Sequence, residues 1–374
     1  MNHIGQKIKG LRMAENLTQE KLAEELNVSF QSISRWENGT STPDISLLPL
    51  IARFFKVSTD YLLGMHDEEN EETKQEVEAH YLEKRNLGDL DGAYETLLEG
   101  RKLFPREFHF CVELAEIMDL FEGGNEEQIS KYKAENFSGQ IFNLCTRVLE
   151  GSRDDADRSK ALTLLASFYM KAGNTTEALK IANSMTEIMC SKEVLLGNIL
   201  TGEEKMKRLQ ENLLLMSDYI ADTLVKIAFQ KEYGFSSAML PEDKLSHIIA
   251  ANSILTTILS DGNYLVYSRK IGWNYRRMGE LYLLMNQKDK ALECLLEAEK
   301  MANIYDTINP LEISRFSAPF CNLVESRMEN NGKYFAGTER EMLAYRLDEM
   351  RDYFQGDEAF GELRKRLGQT HIKV

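Results

Sequence analysis

Residues 17–39 of this 374-residue chain read LTQEKLAEELNVSFQSISRWENG, which is the pattern of two short helices joined by a tight turn. The second helix begins at Ser29 and ends in the sequence Glu37-Asn38-Gly39. At helical spacing its polar side chains lie on the face opposite its apolar ones. A helix with such a face, held from behind by apolar anchors, can place polar side chains in the major groove of DNA. The residue types and their spacing therefore indicate nucleic-acid recognition.

Five helices are predicted between residues 2 and 64, and together they would hold that polar face in place. The first covers 2–14 and the fourth covers 46–55, with Pro49 in its first turn. The predicted N-cap residues, whose side chains accept hydrogen bonds from the first turn, are Thr18, Ser29 and Ser58. Glycines that tolerate a left-handed backbone end the third and fifth helices, at Gly39 and Gly64.

Residues 3–64, about a sixth of the chain, resemble the Cro/CI-type helix-turn-helix family, also called the xenobiotic-response-element (XRE) family of bacterial and phage regulators. The resemblance rests on caps, apolar anchors and turn residues that agree with one another. Those residues are Thr18-Gln19, Leu22-Ala23, Val28-Ser29, Ile33-Ser34, Trp36-Glu37-Asn38-Gly39, Pro43-Asp44, Val57-Ser58 and Tyr61-Leu62-Leu63-Gly64. The resemblance implies a compact helical domain that binds double-stranded DNA.

The docking mode of that family implies roles for individual side chains. The N-terminal part of the third helix would meet base edges, which makes Phe30, Gln31 and Arg35 the candidate base contacts. Gln can pair with adenine, Arg with guanine, and a Phe ring can pack on a thymine methyl group. The candidate phosphate contacts, which position the protein but read no sequence, are Gln19, Ser32, Ser34 and Asn38.

The sequence leaves other roles open for several of these side chains. Phe30 can instead pack against the first helix, and Ser32 and Ser34 can simply face solvent. Arg12 is basic and close to the site in sequence, but its counterpart in the family forms a buried ion pair with the residue that matches Glu37. The resemblance therefore implies a structural role for Arg12.

Charge is divided unevenly along the chain. Residues 1–64 contain seven Lys and Arg against seven Asp and Glu, so the net charge of −15 lies beyond residue 64. A neutral domain gains little non-specific affinity for DNA, because that affinity comes from neutralising phosphates. Residues 40–44 also lack the Lys or Arg that several phage repressors carry there, which argues against minor-groove reading. These features favour dimerisation and direct base contacts.

Beyond the first domain the sequence predicts helices only. We expect a DNA-binding domain at 1–66, an acidic linker at 67–74 and a helical body at 75–374. The body contains few prolines, and no alternation of apolar and polar residues persists in it. The charged tail at 338–367 is expected to form two closing helices around Gly356-Asp357.

Three segments of the body share a template of small residues and tyrosines, namely 77–105, 162–185 and 275–302. They resemble the tetratricopeptide (TPR) repeat, although their spacing is not a multiple of its period of about 34 residues. Longer helices are therefore expected between them, at 203–230 and 242–259. The predicted fold class is all-α: a five-helix Cro/CI-type helix-turn-helix domain followed by an α-solenoid of TPR-like helix pairs.

The first helices of TPR-like pairs line a concave surface, which is a candidate binding groove. The template places six residues in it, namely Lys160, Thr163, Ser167, Trp273, Arg276 and Glu280. An aromatic ring flanked by charges and hydroxyl groups suits an extended peptide, although each residue can equally be a solvated or packing one. The order of the domains resembles the peptide-sensing regulators of Gram-positive bacteria, in which a short peptide binds the solenoid and repositions the DNA-binding heads.

Catalytic and cofactor-binding motifs are missing from the sequence, which contains no GxxxxGK[ST], HExxH or GxSxG pattern. The six histidines are isolated and the five cysteines are scattered, as expected for reduced thiols in a cytosolic protein. We therefore predict no enzyme activity, no cofactor and no metal site. No run of 18 apolar residues occurs, so no membrane span is expected.

These features together predict a cytoplasmic transcription regulator that binds an inverted repeat in DNA as a homodimer. The helical body would serve as a sensor or as a dimerisation platform. Two alternatives stay open at this point. One is a protein-interaction adaptor whose solenoid captures another protein, and the other is an antitoxin-like autoregulator that holds a toxin.

Overall fold

The structure, a computed structural model, describes residues 3–15, 17–64, 67–105, 107–122, 135–229, 239–326 and 337–368. The chain divides into two compact units, Met1–Ala79 and His80–Val374. The division falls inside helix α6 (Asp67–Leu87), so the acidic segment predicted as a linker at 67–74 is helical. Within the described ranges, no helix is long and apolar enough to cross a lipid bilayer.

The first unit contains the five predicted helices. They are α1 (His3–Ala14), α2 (Gln19–Leu26), α3 (Phe30–Glu37), α4 (Leu48–Phe55) and α5 (Thr59–Leu63). The first was expected to start at Asn2, which lies outside the described residues. The fourth was expected to start at Ser46 but begins at Leu48. The reason is that the Asp44 side chain accepts from the Ser46 amide and caps a short 3-10 helix over Ile45–Leu47.

The three predicted N-caps are confirmed. Thr18 Oγ1 accepts from the Lys21 amide, Ser29 Oγ from the Ser32 amide, and Ser58 Oγ from the Tyr61 amide, each at 3.1 Å. The predicted turn before α3 forms at Asn27, whose φ of 52° is left-handed. Since these bonds satisfy backbone N–H groups that a helix start leaves unpaired, they explain why α2, α3 and α5 begin where they do.

One apolar cluster holds these helices together. Its fully buried members include Ile8 of α1, Leu22 of α2, Ile33 of α3 and Ile51 of α4. Gly5 allows α1 to cross the end of α3 closely, since a Cβ atom at this position would lie 1.7 Å from the Trp36 carbonyl oxygen. The backbone of α3 is thus held directly against α1.

The second unit continues α6 and adds twelve helices within the described residues. They are α7 (Leu90–Leu103), α8 (Phe108–Glu122), α9 (Phe137–Gly151), α10 (Asp155–Lys171), α11 (Thr175–Ser184), α12 (Lys192–Ile199), α13 (Gly202–Phe229), α14 (Pro241–Ile258), α15 (Tyr267–Leu284), α16 (Lys288–Asp306), α17 (Glu339–Asp348) and α18 (Glu358–Gly368). Short 3-10 helices lie at Ile188–Cys190 and Arg351–Phe354.

The three predicted TPR-like segments each form a pair of helices, which are α6–α7, α10–α11 and α15–α16. Small residues bring the last pair close together, as predicted: a Cβ atom on Gly279 would lie 3.1 Å from Leu295 Cδ2 and 3.3 Å from the Ala291 carbonyl oxygen. The longer intervening helices also form, as α13 and α14. The tail forms α17 and α18, which bury Leu347 and Phe360 against Leu295 of α16.

A segment between α16 and α17 departs from the helical pattern. It contains an antiparallel pair of two-residue strands, β1 (Ser314–Arg315) and β2 (Glu325–Ser326). Pro310 and Pro319 stand in this segment, and proline removes the backbone donor that a helix needs. The Gln210 side chain of α13 fastens the segment by accepting from the Leu323 amide at 2.8 Å.

Candidate nucleic-acid interface

Helix α3 presents its polar face to solvent, as the sequence predicts. Ile33 and Trp36 point into the core, with exposed fractions of 0% and 5%. Gln31 and Arg35 are both exposed and lie one turn apart on the same face. Phe30 is 42% exposed, so it does not pack into the core against the first helix. All three candidate base contacts are therefore accessible to a DNA groove.

The candidate phosphate contacts are engaged in local hydrogen bonds. Ser32 Oγ lies 2.8 Å from Ser29 Oγ, and Asn38 Nδ2 donates to Ser34 Oγ at 3.4 Å. Ser32 and Ser34 are half-buried, and Asn38 is exposed. Hydroxyl and amide groups carry more than one donor or acceptor position. Each group therefore keeps a position that could bind a phosphate, and the phosphate contacts of Ser32, Ser34 and Asn38 stay predictions.

Gln19 is tied to the end of α3. Its Nε2 donates to Glu37 Oε2 at 2.7 Å. The amide nitrogen has two N–H groups, so this bond occupies one of them. The side chain is thereby oriented at the start of α2, where the family resemblance implies a phosphate contact.

The predicted ion pair between Arg12 and Glu37 is present. Arg12 Nε donates to Glu37 Oε1 at 2.6 Å, and Arg12 Nη2 donates to Oε2 at 2.9 Å. Burial by itself raises the pKa of a carboxyl group. The hydrogen bonds from Arg12 and Gln19 and the charges of Arg12 and Lys9 outweigh it, and the pKa of Glu37 lies below its ordinary value. The hydrogen bond to Glu37 also raises the pKa of Arg12. The pair joins α1 to the last residue of α3.

The groove candidates of the body fall into two groups. Lys160 contacts Glu113 and Glu116 of α8 at 2.6 and 2.5 Å, and Thr163 Oγ1 donates to the Ser159 carbonyl oxygen at 3.0 Å. Ser167 is half-buried on the same helix. These three residues do not line the cavities at α15, so the six candidates are not brought into one cavity.

Trp273 and Arg276 do line a cavity, of about 200 Å³, between α15, α16 and α17. Trp273 Nε1 donates to Glu339 Oε2 at 2.7 Å, and Arg276 pairs with Glu280. A second cavity, of about 420 Å³, adjoins the first through Arg269, Trp273 and Arg277. Trp273 and Arg276 therefore stand where a ligand could bind, whereas Glu280 lines neither cavity.

Sequence reasoning missed the other four charged residues of the first cavity, namely Arg269, Arg277, Glu339 and Arg346. A signal existed for the first two. Arg269 precedes Trp273 by one helical turn, and Arg277 adjoins Arg276 in the sequence Tyr275-Arg276-Arg277. No local pattern connects them with α17, because that helix is more than 50 residues further along the chain.

The first unit is similar in sequence to known helix-turn-helix proteins. The helix-turn-helix family profile matches residues 8–62. An uncharacterised HTH-type transcriptional regulator of Methanocaldococcus jannaschii, MJ0272, is 41% identical over 63 residues, which are 17% of this chain and 96% of that protein. The chain belongs to the helix-turn-helix family of transcriptional regulators. This confirms the resemblance that the caps and turn residues carried.

Other helix-turn-helix relatives match over the same part of the chain. YobD of Bacillus subtilis is 32% identical over 82 residues, which are 22% of this chain and 73% of YobD. The HTH-type transcriptional activator BcrR of Enterococcus faecalis is 48% identical over 61 residues, which are 16% of this chain and only 30% of BcrR. The match thus spans less than a third of BcrR.

Two solved structures of regulators align with most of the chain at low similarity. PlcR of Bacillus thuringiensis, in complex with the peptide PapR7 and DNA, has 14% identity and a TM-score of 0.34, over 81% of this chain and 95% of PlcR. The apo form of the competence regulator ComR from Streptococcus vestibularis has 16% identity and a TM-score of 0.25, over 82% and 93%.

Proposed function

We propose that this chain binds an inverted repeat in double-stranded DNA as a homodimer and regulates transcription in the cytoplasm. The observation that carries the proposal is the exposed face of α3, where Phe30, Gln31 and Arg35 are accessible while Ile33 and Trp36 anchor the helix. Arg and Gln are the side chains that pair bidentately with guanine and adenine in the major groove. The membership in the helix-turn-helix family agrees with this assignment.

Selection of bound genomic fragments by the full-length protein tests the proposal. We expect an inverted-repeat motif, which the Gln31→Ala/Arg35→Ala double variant no longer enriches. Each single substitution should weaken binding to the motif by about 1–3 kcal/mol and relax one base position. Arg53→Ala removes an exposed charge from α4 and serves as the control. Enrichment of the same motif by the double variant would show that other residues read the bases.

The proposed dimer contact is an exposed apolar stripe on α13. Its members are Met206, Leu209, Leu213, Ile220 and Ile227, each between 39% and 52% exposed. These residues belong to a heptad pattern, in which successive positions are three and four residues apart in alternation. Half-buried Met216 and Thr223 stand at the remaining positions of the pattern. The buried face of α13 is a different one, lined by Gln210, Leu214, Ser217, Ala221 and Ala228.

A second copy of this chain is the partner that fits the stripe. Three heptads extend over about 30 Å of helix, which is the length at which such patterns specify helix pairing. A heptad seam is complementary to its own copy across a twofold axis. Monomeric proteins rarely leave a continuous apolar surface of this kind in water. Dimerisation would also supply the second recognition helix that an inverted repeat requires.

Light scattering on the full-length protein tests this contact. We expect a mass of twice 42.9 kDa for the unmodified chain and a mass of 42.9 kDa for Leu213→Glu. Leu215→Glu is the matched control, because Leu215 is 50% exposed on the same helix but lies outside the stripe. A dimer that persists in Leu213→Glu would place the interface elsewhere.

The helical body is proposed as a sensor for a small ligand such as a short peptide. The two adjoining cavities at Trp273 support this, since volumes of several hundred Å³ lined by apolar and a few charged groups are typical of ligand sites. Ligand binding in the body would change the dimer and with it the spacing of the heads. Scattering with and without ligand would contradict this coupling if the head separation were identical.

A further inference from the structure

The cavity between α15, α16 and α17 has a narrow apolar floor. Gly272 of α15 and Ala298 and Ala302 of α16 form it. Gly272 lies so close to α16 that a Cβ atom there would be 2.9 Å from Met301 Cβ. Met342 and Leu343 of α17 add apolar surface. The two helices are therefore in contact beneath the cavity. Because Gly272, Ala298 and Ala302 are small residues, the space above them stays open.

The walls of the same cavity are strongly basic. Four arginines line it, namely Arg269, Arg276, Arg277 and Arg346, against the single carboxylate of Glu339. This concentration occurs in a chain whose net charge is −15. The side chains that line the cavity are thus mainly basic, in contrast to the acidic protein as a whole, which suits a negatively charged ligand.

Three of the four arginines have acidic partners. Arg269 Nε lies 3.0 Å from Glu339 Oε1, Arg346 Nη1 lies 3.2 Å from Glu349 Oε1, and Arg276 pairs with Glu280. Arg277 differs from them. Among the described residues no carboxylate lies within ion-pairing distance of it, and its Nη1 instead donates to the Asn274 amide oxygen at 3.4 Å.

Arg276 and Arg277 lie in an environment that disfavours positive charge. Burial lowers the pKa of both Arg276 and Arg277, and mutual repulsion adds to it: Arg346 acts on Arg276, and Arg276 acts on Arg277. Guanidinium groups nevertheless stay protonated in proteins. A bound anion would relieve this cost, above all at Arg277, which has no carboxylate partner among the described residues.

We propose that this cavity binds a carboxylate group attached to an apolar or aromatic body, with Arg277 and Arg276 holding the carboxylate. A guanidinium fork matches the planar carboxylate by two parallel hydrogen bonds. The apolar part would lie on the floor beside the Trp273 ring, which is 37% exposed and has the Arg269 guanidinium 4.6 Å from its centre. The proposal rests on the sensor role proposed above and names the chemistry of its ligand.

The adjoining cavity gives the ligand room to be longer than one residue. It shares Arg269, Trp273 and Arg277 with the first, and its far wall carries Asp218 and Asp222, both paired with Lys270. An extended ligand would place its carboxylate in the basic cavity and continue past Trp273 over this mixed surface. Two sources of the carboxylate fit equally: a peptide C-terminus and an acidic side chain.

Ligand-observed NMR on the full-length protein tests the chemistry with 3-phenylpropanoate and its neutral analogue 3-phenylpropanamide. We expect the carboxylate to bind at least tenfold more tightly and Arg277→Gln to abolish that preference. Arg277→Lys keeps the charge but not the fork and should retain part of the preference. Arg153→Gln, an exposed arginine of the same unit, should leave it unchanged. Equal binding of the two probes, or binding of neither, would overturn the proposal.

A random heptapeptide library distinguishes the sources and separates this inference from the sensor role. Retention of peptides with a free C-terminus but not of the amidated library would identify the terminal carboxylate. Enrichment of Asp or Glu in the amidated library would identify a side chain. If 3-phenylpropanoate binds through Arg277 but no peptide is retained, the carboxylate site stands and the peptide part of the sensor role fails. Retention of neutral amidated peptides, unchanged in Arg277→Gln, would overturn the carboxylate site and keep the sensor.

Discussion

The Arg12 guanidinium holds both carboxylate oxygens of Glu37, at 2.6 and 2.9 Å. The exposed fraction of the Glu37 side chain is 1% and that of Arg12 is 13%, so the pair is largely shielded from water. Glu37 is the last residue of α3, and Arg12 lies near the end of α1. The orientation of α3, the helix proposed to read DNA, therefore depends on a buried electrostatic contact as well as on its apolar anchors.

Replacing Arg12 by Ala should lower the free energy of unfolding of the first unit by about 3–5 kcal/mol, because it leaves a buried carboxylate without its partner. Trp36 fluorescence during urea unfolding measures this in a Trp273→Phe background, since the chain contains only these two tryptophans. Arg53→Ala, at an exposed position, is the matched control. Equal losses for both variants would contradict the role of the ion pair.

The same contact predicts a pH dependence. The pKa of Glu37 is lower in the folded protein than its ordinary value of 4.5. The stability it contributes is therefore complete above the unfolded pKa and is lost as the pH falls through the folded one. Glu37→Gln should be less stable at neutral pH but should lose less further stability between about pH 5 and pH 3. Parallel acid-unfolding curves for the two proteins would show that Glu37 does not titrate as described.

Two glycines of α1 should respond oppositely to substitution by alanine. At Gly5 the new Cβ would meet the Trp36 carbonyl oxygen at 1.7 Å, so α1 and α3 must separate, at a cost of about 1–3 kcal/mol or more. At Gly10 nothing lies within 4 Å, and alanine should stabilise the helix by up to about 1 kcal/mol. Thermal unfolding and operator binding of both variants check the contrast. Stable, DNA-binding Gly5→Ala protein would refute the close crossing.

Lys160 is predicted to stabilise the body rather than to contact a ligand. It lies 2.6 Å from Glu113, which is 6% exposed and also accepts from the Tyr81 hydroxyl group at 2.6 Å. Lys160→Met should cost about 2 kcal/mol, because a charge-assisted hydrogen bond to a buried carboxylate is lost. Thr163→Val, at an exposed position one turn away, should change stability by less than about 0.5 kcal/mol.

Circular dichroism during denaturation measures both variants. A stable Lys160→Met protein with altered ligand response would instead support the groove assignment. The loss of Lys160 should also raise the pKa of Glu113, because burial raises it and Lys160 is the main opposing influence. The variant should accordingly lose less stability than the unmodified chain when the pH is lowered.

The helices of the first unit and the family to which the chain belongs follow from the sequence alone. Caps such as Thr18, Ser29 and Ser58 act on amides three residues away, and apolar spacing repeats within one helix. Both are local properties, so a sequence displays them directly. The helix pairs of the body follow for the same reason.

Contacts between distant residues are decided by the tertiary structure. The basic cavity needs Arg276 and Arg277 of α15 to meet Arg346 of α17, and Lys160 finds its partner on α8. The local pattern of a helix specifies which face is buried but not which charged groups from other helices it will meet. For that reason the sequence predicts Lys160 in a ligand groove without indicating its ion pair with α8, and it does not predict the arginine-lined cavity beside Trp273, which forms only where α15, α16 and α17 pack together.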